Sequence, residues 1–100
     1  MKKGERQIRV MGTVWTVRHG LDDDELREAD EWGRTIATRR TIWIRSDADF
    51  GVVFMHELFH AIEHAFNEAI NMTESEVQLL ARGTVALFVD NAWLKKEVFG

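Results

Sequence analysis

The segment His56-Glu57-Leu58-Phe59-His60 contains two histidines four positions apart, with a glutamate directly after the first. On an α-helix, residues i and i+4 lie on one face, so both imidazoles can reach a single metal ion. The glutamate lies one step further round, where it can take a proton from water without being a ligand. The pattern predicts a zinc site with His56 and His60 as ligands and Glu57 as general base.

A catalytic zinc ion needs a third protein ligand, and its fourth position stays open. The chain has no Cys, so a thiolate is excluded. The metzincin class is excluded too, because it requires Gly at position 63 and His or Asp at 66, where this chain has Glu63 and Phe66. His64 continues the row of histidines, but it lies about 12 Å along the axis from His56, which is too far to share one ion.

The predicted third ligand is Glu76, on a second helix. It lies one turn before Leu80, which we expect to face the first helix, and the other interpretation is that Glu76 only caps its own helix. Thr73 and Glu76 have the spacing of a capping box. Glu74 is the alternative ligand, and Glu63 is a weaker alternative or a partner that orients a histidine.

Hydrophobic spacing predicts two helices that carry these residues. An apolar stripe with steps of three and four predicts a helix over residues 49–67, through Val52, Met55, Phe59, Ile62 and Phe66. The second helix is predicted over residues 73–94, with the inward side chains Val77, Leu80, Thr84, Leu87 and Phe88.

The N-terminal region, residues 1–46, has the composition of a small sheet. Residues 8–18 predict a strand pair or one bent strand with a turn or bulge at Gly12, and residues 33–45 predict a hairpin that turns at Thr38-Arg39. At 100 residues the chain is expected to form one domain. The predicted fold class is α+β, with a small antiparallel sheet of about three strands packed on two C-terminal helices.

The run from His56 to His64, followed by residues 74–81, resembles small phage-type HExxH metallopeptidases. It is also similar to the catalytic part of ImmA/IrrE-type proteins, and the Asp90-Asn91 pair and the Gly12-containing strand fit the phage-type pattern. The resemblance implies a minimal zincin-like fold, Zn²⁺ as cofactor, and a gluzincin-like site in which Glu76 takes the position of the ligand glutamate.

Two features depart from that pattern. Zinc peptidases with a glutamate ligand often carry an Asp four residues later, which orients a His ligand, and here that position is Leu80. The chain also has no Tyr to polarise a substrate carbonyl. His19, His64 and Arg82 are the remaining candidates for stabilising the transition state.

Charge and hydropathy restrict the partners. The net charge is −4, and residues 46–81 contain no Lys or Arg, which argues against nucleic acid and favours a cation. No apolar run reaches the length of a signal peptide or membrane span. We therefore expect a cytoplasmic protein, in the host cytoplasm if phage-encoded, that acts on a protein or peptide and binds neither nucleic acid nor membrane.

These observations lead to three hypotheses. The first is a zinc-dependent metalloendopeptidase whose substrate extends along a strand edge, for which residues 43–45 are the nearest candidate. The second is a zinc-binding regulatory or interaction protein with little or no proteolytic activity. The third is a structural domain whose histidines match the motif by chance.

Overall fold

A four-stranded mixed sheet and C-terminal helices make up the computed structural model, which describes residues 4–66 and 71–99. The described strands are β1 (Glu5–Val10), β2 (Thr13–His19), β3 (Gly33–Ile36) and β4 (Thr41–Ile44). The described helices are α1 (Asp24–Glu28), α2 (Phe50–Ala65), α3 (Glu74–Asp90) and α4 (Leu94–Phe99). The predicted α+β class is therefore confirmed.

The strand order is β1-β2-β4-β3, and β2 and β4 run parallel while the other two pairs are antiparallel. Both predicted strand pairs are present. Met11 and Gly12 have positive φ values of 51° and 83°, which makes a two-residue turn between β1 and β2. A 3-10 turn at Ala37–Arg39 joins β3 to β4. The predicted layout of sheet and helices fits, but the sheet has four strands rather than about three. It is mixed rather than antiparallel because β4 lies between β3 and β2 and runs parallel to β2.

This order corrects the predicted substrate edge. Residues 43 and 44 lie in β4, which pairs with a strand on each side, so its backbone has no free edge. The edge strand beside α2 is β3. Its Gly33 permits the close approach, because a Cβ at that position would lie 2.8 Å from Val53 Cγ1 and 3.2 Å from Glu57 Cγ.

The core lies between the sheet and α2. It consists of Val10, Trp15, Val17, Ile42, Ile44 and Ala61, and the α2 side chains Val53, Phe54, Leu58 and Ile62 pack against it. Of the predicted apolar stripe, only Ile62 belongs to this set. The remaining stripe residues lie further round α2, where Val52, Met55 and Phe59 are half-buried and Phe66 is exposed.

Helix α3 packs against α2 and begins at the predicted capping box. Its buried side chains are Val77 and Ala81, whereas Leu80 and Leu87, which were predicted to face inward, are 44% and 55% exposed. The helix ends at Asp90, four residues before the predicted end, and α4 follows as a separate helix. Among the helices formed by the described residues, none is both long and apolar enough to cross a bilayer.

Candidate metal centre

Two α2 histidines and one α3 glutamate meet between the helices. Glu74 Oε2 lies 3.0 Å from His56 Nε2, and Glu74 Oε1 lies 2.9 Å from His60 Nε2. The two Nε2 atoms are 3.3 Å apart. One turn of α2 separates the histidines, and Glu74 reaches both because it is in the first turn of α3 on the side that faces α2.

The three side chains fit the requirements of zinc. Two imidazole nitrogens and a carboxylate oxygen are a usual donor set for a catalytic zinc site, with bonds of about 2.0–2.1 Å. Ligand atoms at that distance from a tetrahedral ion are separated from one another by roughly 3.3 Å. The two histidine Nε2 atoms, 3.3 Å apart, match that length, and a different Glu74 oxygen lies within 3.0 Å of each of them. The cluster His56, His60 and Glu74 could therefore hold a metal ion.

A carboxylate orients His60. Its Nδ1 lies 3.0 Å from Glu63 Oε1, and an N–H donated there leaves the Nε2 lone pair directed at the centre. The other oxygen, Glu63 Oε2, accepts from the backbone N–H of Met72 at 3.3 Å. Glu63 therefore fixes both a histidine and the segment that leads to Glu74, which is the orienting role foreseen for it as an alternative.

An amide orients His56. Its Nδ1 lies 2.7 Å from Gln78 Oε1. Gln78 stands four residues after Glu74, where glutamate-ligand zinc peptidases often have an orienting Asp. If Glu76 were the ligand, the residue four positions later would be Leu80, which cannot orient a histidine. With Glu74 as the ligand, the residue four positions later is Gln78, which contacts His56.

Glu57 is buried beside the cluster, with only 7% of its surface exposed. Thr35 Oγ1 on β3 lies 2.8 Å from Glu57 Oε1 and 3.0 Å from the Glu57 backbone oxygen, so its hydroxyl holds the base against the edge strand. Burial raises the pKa of Glu57, although the Thr35 hydroxyl and the two histidines act to lower it. The carboxylate therefore binds a proton more tightly than a free glutamate does.

Glu76 is engaged at the N-terminal cap of its own helix. Its Oε1 accepts from the Thr73 backbone N–H at 3.0 Å, and its own N–H donates to Thr73 Oγ1 at 3.1 Å. The Thr73 backbone N–H lowers the pKa of the Glu76 carboxyl. Of the two α3 glutamates considered from sequence, Glu74 thus contacts the histidines, and Glu76 caps the helix, as its other interpretation had it.

Two clefts open from the cluster, with volumes of about 570 Å³ and 540 Å³. Both are lined by the residues at their junction, which are Glu31, Gly33, His56, Glu57 and Glu74. The first cleft continues past Arg34 and His64. The second continues past Trp32, Val52 and Arg82. Glu57 therefore lies where the two clefts meet.

The three residues considered for stabilising charge lie in different places. His64 lines the first cleft, and its ring meets the edge of Trp15 at a centroid distance of 6.2 Å. Arg82 lines the second cleft. The His19 ring lies 4.6 Å from the Phe50 ring between centroids, tilted by 43°, and His19 lines neither cleft. His64 and Arg82 therefore stay as candidates for contact with a substrate, and His19 does not.

Sequence reasoning missed Gln78 and Thr35. Gln78 had a usable signal, since a polar residue four positions after a possible ligand glutamate fits the orienting role. Thr35 had none, because its contact with Glu57 depends on the sheet order that makes β3 an edge.

Comparison of the chain with protein-family models, with curated proteins and with solved structures found no match.

Proposed function

We propose that this protein is a zinc-dependent peptidase in which His56, His60 and Glu74 hold the ion and Glu57 is the general base. The observation that carries the proposal is the cluster of His56 and His60, whose Nε2 atoms are 3.3 Å apart, with a Glu74 oxygen within 3.0 Å of each, beside a buried glutamate. Glu74 replaces Glu76 as the proposed third ligand, because the Glu76 carboxylate is engaged at the helix cap.

When bound, zinc supplies Lewis acidity, which acidifies water and polarises a carbonyl group. The protein supplies the proton transfer. Because Thr35 holds Oε1 of Glu57, Oε2 is the oxygen that takes the proton from the attacking water and passes it to the leaving amine. The raised pKa suits the first transfer, since a carboxylate with a higher pKa is a stronger base and takes the proton from water more readily.

The substrate would add to β3 as an extended strand. β3 pairs with β4 on one side only, and Gly33 and Thr35 lie next to Glu57, so a peptide on the free edge would pass the base. We infer a protein or peptide substrate, and we keep the cytoplasm as the proposed location, in the host if the protein is phage-encoded.

A second candidate, a zinc-binding interaction protein, is favoured by the absence of Tyr from the sequence. Metal analysis of the purified chain, together with cleavage of a peptide library, separates the two. Glu57→Gln should retain zinc and lower cleavage by about 10²–10⁴-fold. Asp49→Asn is the matched control, since Asp49 lines the second cleft and the same acid-to-amide change should leave cleavage within about threefold.

Zinc uptake with equal cleavage by wild type and Glu57→Gln would contradict the peptidase and leave the binding protein. Failure to take up zinc after reloading would refute both and leave a structural domain.

A further inference from the structure

Gln78 lies between His56 and Arg82 and can satisfy only one of them with its single oxygen. Its Oε1 lies 2.7 Å from His56 Nδ1. If the amide is turned by 180°, that oxygen instead accepts from Arg82, at 2.7 Å from Nε and 3.2 Å from one terminal nitrogen, and the NH₂ group meets His56 Nδ1 at 2.7 Å. The two neighbours thus lie at opposite ends of one amide.

Both neighbours require the oxygen once His56 ligates a metal through Nε2. A guanidinium has donors only, so Arg82 needs an acceptor. A histidine that ligates through Nε2 carries its hydrogen on Nδ1, so His56 needs an acceptor as well. When the oxygen serves Arg82, the amide donates to His56 Nδ1, and the hydrogen of the neutral ring lies on Nε2, where the ligating lone pair is needed.

We propose that Arg82 competes with His56 for the Gln78 oxygen, so that Arg82 weakens zinc binding and is released from Gln78 when zinc binds. The inference rests on the proposed zinc site, and Gln78 and Arg82 are positioning residues that act through His56. Arg82 is exposed on the wall of the second cleft, which Asp47 and Asp49 also line, so the released guanidinium has carboxylates in the same cleft.

Zinc affinity, measured by competition with a chromophoric chelator, tests this in four chains: wild type, Arg82→Met, Gln78→Leu and the double variant. Arg82→Met removes the competing donors and should tighten zinc binding. It also removes a positive charge, and the Gln78→Leu background measures that contribution alone, because no amide remains there. We expect the gain from Arg82→Met to be about five to ten times larger with Gln78 present, which is the worth of one hydrogen bond.

Equal gains in the two backgrounds, or no gain with Gln78 present, would overturn the competition while leaving the zinc site intact. Absence of zinc binding in all four chains would instead refute the proposed function, and this inference with it. The two failures are therefore distinguishable.

Nitrogen-15 NMR of the wild-type chain gives a second measurement that a purely structural role would not affect. Adding zinc should move the His56 ring hydrogen from Nε2 to Nδ1 and speed the solvent exchange of the Arg82 Nε–H. An Arg82 Nε–H whose exchange is unchanged by zinc would contradict the release.

Discussion

Helices α2 and α3 supply the proposed ligands, but they are held in different ways. The sheet-facing side of α2 packs on a continuous core that includes Trp15 and Ile42. Helix α3 buries only two small apolar side chains, Val77 and Ala81, among its described residues, and next to them it carries Glu74 and Gln78 toward the histidines. The polar site is thus also part of the contact between the helices, so zinc bound there would strengthen the docking of α3.

The largest expected effect is on zinc affinity, when each of the two α3 glutamates is replaced in turn. Glu74→Gln removes a proposed ligand and should weaken zinc binding by about a hundredfold or more, beyond the usual cost of losing an orienting group. Glu76→Gln is the matched control, since it makes the same change two residues along the helix. It should leave zinc affinity within about threefold and lower only the melting temperature of the metal-free chain.

Chelator competition and thermal melts in EDTA measure both quantities on the same preparations. A Glu76→Gln chain that loses zinc while Glu74→Gln retains it would restore the assignment made from sequence. It would also show that α3 can turn on α2.

The sequence predicted α2 better than α3 for a physical reason. On α2 the HExxH spacing alone determines which side chains share a face, and the structure brings His56 and His60 together as expected. On α3 several large apolar residues compete for the inward position. Val77 was predicted to face inward and is buried, but Leu80 and Leu87 were preferred over Ala81. With Val77 and Ala81 packed inward, the same side of the helix directs Glu74 and Gln78 to the site.

The order of the strands in the sheet was the other feature that the sequence pattern did not predict. Alternation predicted both strand pairs, but it is silent on which pair lies beside which. The parallel contact between β2 and β4, and with it the free edge at β3, depends on long-range pairing that local patterns do not encode. The contact between Thr35 and Glu57 follows from that pairing.

An intermediate effect is expected from the packing of α3. Val77→Ala removes methyl groups from a fully buried position and should lower the free energy of unfolding by about 2 kcal/mol. Leu87→Ala is the control, because that side chain is 55% exposed and its loss should cost within about 0.5 kcal/mol. Urea unfolding with an unchanged m-value measures both. A larger cost for Leu87→Ala would mean that the sequence-based inward face of α3 is the packed one.

The smallest expected effect is on the pH dependence of stability. It compares Glu57 on α2 with Glu76 on α3, because their pKa values are shifted in opposite directions. Burial raises the pKa of Glu57 above 4.5, so the folded chain holds that proton more tightly than the unfolded chain does. Its contribution to stability is fully present below the unfolded value and is lost as the pH rises through the folded pKa. Glu76 has its pKa lowered, so its contribution is present above 4.5 and is lost as the pH falls through the folded pKa.

In EDTA at pH 7, Glu57→Gln should therefore melt a few degrees above wild type, and Glu76→Gln should melt below it. The Glu57→Gln difference should shrink as the pH falls through the folded pKa of Glu57, because the amide then replaces a neutral group, whereas the Glu76→Gln difference should begin to shrink only below pH 4.5. Thermal melts of the three chains between pH 4 and pH 7 check this. A Glu57→Gln chain that is less stable than wild type at pH 7 would contradict this prediction. It would mean that the contacts of the Glu57 carboxylate with Thr35 and the histidines outweigh the cost of burying it, so that the ionised carboxylate stabilises the fold.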